Sequence, residues 1–268
     1  MKLMVIGSGG REHALVWKLA AESEVDILWC APGSDGMAPP VRRVDIAATD
    51  LDGLVRFARA QRIDLTVVGP EAPLVAGLAD RFAAEGLAVV GPSAAAAQLE
   101  GSKVFAKEFM ARHGIPTARF EVHRQEVPAL ESLTDGRFRF PVVIKADGLA
   151  AGKGVVIVEN LAQARLALAE MMEQRIFGDA GDRVVLEEFL TGEEASVIVL
   201  SDGEHILPLP PSQDHKQVFD GDRGPNTGGM GAYSDDRILP PGAMDRIRET
   251  VLQPVVRGMA AEGHPFRG

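Results

Sequence analysis

The chain is poor in cysteine and has no excess of positive charge. One cysteine, Cys30, occurs among 268 residues, which excludes an internal disulfide and is typical of a reducing compartment. Lys and Arg number 28 against 38 Asp and Glu, and the net charge of −10 argues against a protein that binds nucleic acid or anionic membranes. A phosphorylated small molecule stays compatible with this charge, because a few local lysines and backbone N–H groups are enough to bind one.

Long apolar runs and a signal-peptide pattern are also missing from the sequence. No apolar run approaches the roughly 20 residues that a membrane-spanning helix needs. Met1 and Lys2 lead directly into a short apolar run, where a signal peptide would require a longer one. Together with the cysteine usage, these absences predict a cytoplasmic protein.

Patterns that would supply a metal site or a protein nucleophile are missing as well. The six histidines are scattered, and no pair has the spacing of zinc ligands. The serines and histidines follow neither a nucleophile elbow nor a triad order. We therefore expect no zinc site and no covalent protein intermediate.

The first hundred residues alternate short apolar runs with helical stretches, which predicts an open parallel α/β sheet. Ligands of such sheets bind at the carboxyl ends of the strands. The predicted strands are Leu3–Gly7, Val25–Ala31, Leu65–Gly69 and Ala88–Gly91, and the predicted helices are Arg11–Ala21, Leu51–Gln61 and Pro73–Glu85.

The rest of the chain is richer in strand patterns and predicts an α+β domain. It opens with a helix over Ser102–His113 that Ser102 caps. Residues 212–236 are polar and glycine-rich, so we expect a long functional loop there. The predicted strands are Ala118–Val122, Pro141–Ala146, Val155–Val158, Arg183–Phe189 and Ala195–Leu200, and the predicted helices are Leu161–Gln174 and Ala243–Ala261.

A lysine beside a glycine-rich turn is the strongest functional signal. The β-branched run before Lys145 places this lysine at a strand end, and the turn Gly148–Gly154 contains a second lysine, Lys153. Such a hairpin can bind nucleotide phosphates through both lysines and the backbone N–H groups. It is not a Walker loop, because a strand follows it instead of a helix. A simple turn between two strands is the alternative.

A second glycine-rich turn joins the first strand to the first helix. Gly9, Gly10 and Arg11 lie where a helix N-terminus and a guanidinium attract an anion. Glu12 stands where a dinucleotide fingerprint needs its third glycine, so a phosphate or a phosphosugar is favoured over NAD. Glu71 ends another strand at the same sheet edge and is expected to contact the ligand. A bare strand–helix turn remains the alternative.

Two acidic or polar segments complete the candidate site. Backbone groups over Glu188–Leu190 suit an adenine and Glu194 suits ribose hydroxyls, although a solvated acidic turn fits this segment equally. In the predicted long loop, Asp214, Lys216 and Asn226 offer charge and hydrogen bonds among flexible glycines. This mixture suits a zwitterion or an acyl phosphate.

These strings together are similar to one family. They read GSGGREHA (7–14), GPEAPL (69–74), LEGSKVFAKEF (99–109), PVVIKADGLAAGKGV (141–155), EEFLTGEEAS (187–196), QDHK (213–216) and DGDRGPNTGGMGAYS (220–234). In this order they resemble the glycinamide ribonucleotide synthetases (phosphoribosylamine–glycine ligases) of the ATP-grasp superfamily. The resemblance implies an N-terminal substrate-binding domain, 1–101, and an ATP-grasp domain, 102–268, with an ATP-binding lobe within 118–195.

The resemblance implies that ATP drives the joining of glycine to 5-phosphoribosylamine through glycyl phosphate, without a nucleic-acid or membrane partner and in a monomer. The candidate ATP-binding residues are Lys103, Lys145, Gly148, Gly152, Lys153, Gly154, Glu187, Glu188, Leu190 and Glu194. The candidate substrate-binding residues are Gly9, Gly10, Arg11, Glu71, Asp214, Asn226, Gly228 and Met230. The candidate catalytic residues are Asp214, Lys216, Asn226 and Gly229.

The resemblance also implies Mg²⁺ or Mn²⁺ beside ATP, with the metal ligands on strands beyond Gly268. On this interpretation the ATP-grasp domain is cut short, and the chain of 268 residues turns over weakly or not at all. Two alternatives stay open: a non-catalytic protein that binds a nucleotide or a phosphosugar, and another ATP-grasp carboxylate–amine ligase or carboxylase. An NAD-dependent oxidoreductase is the least favoured.

Overall fold

The computed structural model describes residues 1–149, 154–221 and 223–268. It divides into two compact units, one of Met1–Gly101 with Met259–Gly268 and one of Ser102–Gly258. Within the described ranges, no helix combines the length and the apolar character that crossing a membrane requires.

The first unit is built on a five-stranded sheet in the order β3-β2-β1-β4-β5. Its strands are β1 Lys2–Gly7, β2 Ile27–Pro32, β3 Arg42–Arg43, β4 Leu65–Val68 and β5 Val89–Val90. All neighbouring strands run parallel, so the predicted parallel α/β sheet is confirmed. Met4, Val5 and Ile6 are fully buried, as expected for a central strand that helices cover on both faces.

The helices of the first unit are α1 Gly10–Leu19, α2 Leu51–Gln61, α3 Glu71–Val75, α4 Leu78–Ala84 and α5 Gln98–Gly101. The prediction of one helix over Pro73–Glu85 is wrong, because the chain breaks at Gly77, whose φ of +91° a helix does not allow. The short edge strand β3 was not predicted, since two arginines carry no strand pattern.

The Glu12 side chain fills the crevice where the strand order reverses, between the carboxyl ends of β1 and β4. Its carboxylate accepts a hydrogen bond of 2.7 Å from the Gly9 N–H. A Cβ at Gly7 would lie 2.5 Å from Glu12 Cγ, and a Cβ at Gly69 would overlap its Oε1. The Glu12 side chain therefore requires glycine at both positions. It also occupies the space that the third glycine of a dinucleotide-binding fold leaves open.

The second unit contains a four-stranded antiparallel sheet in the order β6-β9-β7-β8. The strands are β6 Phe120–His123, β7 Val142–Ala146, β8 Val155–Val158 and β9 Val184–Glu188, and the nearby helices are α6 Lys103–Arg112, α7 Glu126–Thr134 and α8 Leu161–Leu168. Apolar residues of α7, α8, β7 and β9 form one core, including Leu133, Leu168, Ile144 and Leu186. Helix α7 was not predicted. Helix α8 continues as a π-helical turn, Ala169–Glu173, so the predicted helix over 161–174 is confirmed.

Two further strand pairs follow in the chain, and then the predicted helix over 243–261, which is continuous and has a π-helical middle segment. They are β10 Val199–Ser201 with β11 Ile206–Pro208, β12 Ser212–Phe219 with β13 Arg223–Ser234, and α9 Ala243–Ile247 continuing through a π-helical segment, Arg248–Leu252, into α10 Gln253–Ala261. A short 3₁₀ segment, Gly178–Asp182, precedes β9.

The prediction of a long loop over 212–236 is wrong, because most of it is the antiparallel hairpin β12–β13. Glycine-rich β13 lacks apolar alternation, and the register slips between His215 and Gln217 and again before Phe219. The predicted strand over 195–200 is also displaced: β10 begins at Val199, and Ser196 forms only an isolated bridge with Ser212.

The buried Asp147 carboxylate ties the end of β7 to the start of α6. Its Oδ1 accepts hydrogen bonds from Ser102 Oγ at 2.9 Å and from the Val104 N–H at 3.1 Å, and its Oδ2 pairs with Arg183. The Ser102 hydroxyl in turn accepts from the Phe105 N–H, which confirms it as the helix cap. Three separate segments are thus fixed around one charged group.

We predict that Gly69→Ala destabilises the first unit by about 1–3 kcal/mol, because the added methyl group displaces Glu12. Urea unfolding followed by the fluorescence of the buried Trp29 measures the effect. Gly10→Ala is the matched control, since nothing lies near its added Cβ. Adding Glu12→Ala to Gly69→Ala should recover part of the loss, and a double variant as unstable as the sum of the singles would contradict the clash.

We predict that Asp147→Ala lowers the stability of the second unit by about 3 kcal/mol, because a helix cap and a charge-assisted bond are lost and Arg183 is left without its partner. The measurement is urea unfolding by far-UV circular dichroism. Asp179→Ala is the control, because that carboxylate is fully exposed. Equal midpoints for the two variants would exclude a structural role for Asp147.

Candidate active site

The start of the glycine-rich turn is held against the N-terminus of α6. Lys103, the first residue of α6, donates a hydrogen bond of 2.8 Å to the Gly148 carbonyl. On the other side of the turn, the Ala146 N–H donates to the Gly154 carbonyl at 2.8 Å. The structure thus brings together Lys103, Gly148 and Gly154, while Gly152 and Lys153 lie outside the described residues.

Lys145 meets a buried carboxylate on the neighbouring strand. Its Nζ lies 2.6 Å from Glu187 Oε2. In the β7–β9 register Lys145 is opposite Val185, so Glu187 is its diagonal neighbour on the same face. The Glu187 side chain is therefore paired with lysine, and any contact of this segment with adenine would use backbone groups.

A second lysine, which sequence reasoning missed, binds the same carboxylate. Lys107 Nζ donates to Glu187 Oε1 at 2.7 Å and to Thr117 Oγ1 at 2.6 Å. Burial lowers the pKa of the Lys107 ammonium below its ordinary value, and Glu187 opposes this shift. The available signal was spacing, since Lys103 and Lys107 are four residues apart and share one helix face.

Glu188 and Leu190 lie at the end of β9 and just beyond it. The Glu188 N–H donates to the Arg119 carbonyl at 3.0 Å, and its carboxylate accepts from the Arg119 N–H at 2.7 Å. Leu190 is exposed. The side chain and the backbone of Glu188 are therefore oriented by Arg119, the residue just before β6.

The hairpin β12–β13 brings together three of the predicted charged residues. Lys216 Nζ lies 2.6 Å from Glu194 Oε1 and 3.4 Å from Asp214 Oδ2. The hydrogen bond to Glu194 raises the pKa of the Lys216 ammonium. Glu194, predicted to bind ribose, thus contacts Lys216, predicted to act in catalysis.

The opposite strand of the hairpin presents backbone groups. Thr227 Oγ1 donates to the Lys216 carbonyl at 2.9 Å and accepts from the Gly229 N–H at 3.0 Å. Met230 is exposed. Asn226 and Gly228 belong to β13, but the side chain of Asn226 lies outside what the structure describes, as does the burial of Gly228.

In the first unit, the predicted residues gather at the carboxyl edge of the sheet. Gly9 precedes α1, Gly10 begins it, and Arg11 Nε lies 3.0 Å from the buried Glu12 carboxylate. The Arg11 guanidinium also lies 3.8 Å from Glu71, the first residue of α3. A carboxylate already binds the Gly9 N–H, so an anion here would depend on Arg11 and the remaining N–H groups.

The residue types of the site suit charge stabilisation. Three lysines, Lys103, Lys107 and Lys145, and the carboxylates of Asp147 and Glu187 lie around the end of β7. Over the described ranges, no group of three or more His, Cys, Asp or Glu side chains is placed to hold a metal ion. This arrangement favours the binding of a polyphosphate over nucleophilic catalysis by the protein.

Two family models match the chain over its length. The model described as phosphoribosylglycinamide synthetase, N domain, matches residues 1–100. The model described as phosphoribosylglycinamide synthetase, ATP-grasp (A) domain, matches residues 101–268.

Curated relatives give the same result. The chain is 58% identical to a phosphoribosylamine–glycine ligase of Allochromatium vinosum, with 100% of this chain and 63% of the relative covered. It is 53% identical to the enzyme of Escherichia coli K12, covering 100% of this chain and 62% of that protein. The chain therefore spans less than two thirds of the length of these relatives.

Solved structures agree in fold. A crystal structure of phosphoribosylamine–glycine ligase from Thermotoga maritima matches with a TM-score of 0.83 and 32% identity, over 100% of this chain and 63% of that one. The biotin carboxylase domain of a Hydrogenobacter thermophilus 2-oxoglutarate carboxylase matches with a TM-score of 0.72 at 16% identity, over 98% of this chain and 58% of that one, which shows a shared fold alone. From the family models, the relatives and the fold together, the chain belongs to the phosphoribosylglycinamide synthetase family.

Proposed function

We propose that the chain takes part in the ATP-dependent ligation of glycine to 5-phosphoribosylamine, giving glycinamide ribonucleotide, ADP and phosphate. The observation that carries the proposal is the match of both family models, supported by the lysine-rich end of β7. Because the chain spans 62–63% of its relatives, the activity of the whole protein is a proposal for this chain.

The proposed reaction has two steps. The glycine carboxylate attacks the γ-phosphorus of ATP, so that an O–P bond forms, ADP leaves, and glycyl phosphate results. The phosphoribosylamine nitrogen then attacks the carbonyl carbon of glycyl phosphate, a C–N bond forms, and phosphate leaves with loss of one proton from nitrogen. Neither step needs a protein nucleophile, so positioning and charge stabilisation are the expected contributions of the protein.

Individual roles follow from charge and position. Lys103 and Lys145 would bind ATP phosphates, while backbone groups over residues 187–190 would hold the adenine. Lys216, close to two carboxylates, would place a positive charge at the glycine site, where Asp214 could accept from the glycine ammonium.

Other residues would bind the second substrate. Arg11 and Glu71 at the sheet edge of the first unit would contact the phosphoribosyl group, next to Gly9 and Gly10. We assign residues 1–101 to substrate binding and 102–268 to the ATP-grasp domain. We also propose a cytoplasmic monomer, in keeping with the single cysteine and the small-molecule substrates.

A divalent cation, Mg²⁺ or Mn²⁺, is proposed to accompany the nucleotide, since such ions neutralise charge in phosphoryl transfer. The described residues do not fit such an ion by themselves, because no three candidate ligands converge. The roles above therefore belong to lysines, a guanidinium, backbone amides and the carboxylates of Glu71 and Asp214, and none of them is the role of a metal ligand.

We predict that ADP formation by this chain with MgATP and freshly generated phosphoribosylamine requires glycine and is not supported by alanine or bicarbonate. Steady-state ADP release is the measurement.

We predict that Lys145→Met weakens MgATP binding by about tenfold or more, because a charge-assisted contact to phosphate is lost. Calorimetric titration is the measurement.

Lys18→Met is the matched control, because this exposed lysine belongs to the first unit and pairs with the nearby Glu22. Bicarbonate-dependent ADP formation would point to a carboxylase. MgATP binding without ADP formation, both by this chain and by a chain of the relatives' full length, would favour a non-catalytic nucleotide-binding protein. No MgATP binding at all would overturn the proposal.

A further inference from the structure

Two lysines contact Glu187, and they do so in different ways. Lys107 makes directed hydrogen bonds, to Glu187 Oε1 at 2.7 Å and to Thr117 Oγ1 at 2.6 Å. Lys145 lies 2.6 Å from Oε2, yet within the described residues this oxygen receives no hydrogen bond of regular geometry. The Lys107 ammonium is therefore oriented by hydrogen bonds, whereas the Lys145 ammonium contacts Glu187 as an ion pair without such a bond.

The two lysines also differ in their access to solvent. The Lys107 side chain is 9% exposed and lies against the Phe120 ring, with Nζ 5.7 Å from the ring centre. The Lys145 side chain is 25% exposed. An anion arriving from solvent can therefore be met by Lys145, while Lys107 stays behind the carboxylate.

Lys107, Lys145 and Glu187 together carry one net positive charge, because two ammonium groups share one carboxylate. The Glu188 carboxylate also acts on Lys107, but its hydrogen bond is to the Arg119 N–H and it pairs with neither lysine in the described residues. If Lys107 carried no charge, Glu187 would pair with Lys145 alone, and that pair would be neutral. A lysine in such a neutral ion pair is a poor ligand for phosphate, because the pair must first be broken.

We propose that Lys107 is a positioning residue of the nucleotide site, which binds Glu187 so that Lys145 remains available to a phosphate of a nucleoside triphosphate. The inference rests on the proposed nucleotide binding at β7 and α6. Lys107 itself does not touch the nucleotide, and it acts through the carboxylate that both lysines share.

The first test needs no nucleotide. In Lys107→Met, the rate at which an N-hydroxysuccinimide ester acylates Lys145, measured by mass spectrometry, should fall by roughly threefold or more, since Glu187 then pairs with Lys145 only. Lys107→Gln keeps a hydrogen-bonding group without charge and should give the same slowing. Lys216 in the same chain is the internal standard, and Lys18→Met is the control variant.

The second test separates charge from packing. Lys107→Met and Lys107→Gln should weaken MgATP binding by about tenfold while leaving the affinity for adenosine unchanged, because only the phosphates contact Lys145. Equal losses for MgATP and adenosine would show that Lys107 only maintains the structure, and would overturn the proposal. Circular dichroism of each variant confirms that it is folded.

The two tests also distinguish this inference from the proposed function. If the wild-type chain fails to bind MgATP, the proposed function is overturned, whereas the acylation rate of Lys145 still decides whether Lys107 controls it. Unchanged or faster acylation of Lys145 in both Lys107 variants would overturn the inference, even in a chain that binds MgATP.

Discussion

A buried carboxylate must be surrounded by positive or N–H groups, and this requirement fixes the parts of the molecule on which the proposed binding depends. Glu12 joins the N-terminus of α1 to the carboxyl ends of β1 and β4. Asp147 joins the end of β7 to the N-terminus of α6, and Glu187 joins β9 to both β7 and α6. Hydrophobic packing leaves such segments free to shift by small amounts, whereas directed bonds to one charged group do not.

The charge around these carboxylates differs, and the difference distinguishes Asp147, which has a structural role, from Glu187, which belongs to the proposed binding site. Asp147 is matched by one guanidinium and by neutral donors, so little potential remains around it. Glu187 is outnumbered by lysines, which leaves a local positive charge next to the glycine-rich turn. A triphosphate would approach a chain of net charge −10. Exposed charges beyond about 10 Å are largely screened at physiological salt, so the nearby lysines dominate its binding.

The features that the sequence predicts are those that a short window contains. Buried strands such as β1 and helices such as α8 show their apolar spacing within ten residues. Lys145 likewise lies only three residues before the first glycine of its turn. Lys107 was not predicted as a site residue, because a lysine within an amphipathic helix normally faces solvent. Its partner Glu187 lies 80 residues further along the chain. The hairpin β12–β13 was not predicted for a related reason. It forms by the pairing of two strands, and each strand is too polar or too rich in glycine to be recognised from its own sequence.

The nucleotide part and the acceptor part of the proposal depend on different physical features. A polyphosphate requires only excess positive charge and free N–H groups, and many sequences on one fold can supply these. Glycine is a small zwitterion, so its recognition requires opposite charges a few ångströms apart. The hairpin provides such an arrangement, since Lys216 lies between Glu194 and Asp214. In the absence of substrate Lys216 pairs with both carboxylates, and this group of three carries a net charge of −1. A bound zwitterion would place its carboxylate on Lys216 and its ammonium on a carboxylate, so that the net charge of the group is unchanged. On the proposed function, selectivity for the amino acid would come from the hairpin, whereas the lysines of α6 and β7 would suit phosphate irrespective of the acceptor.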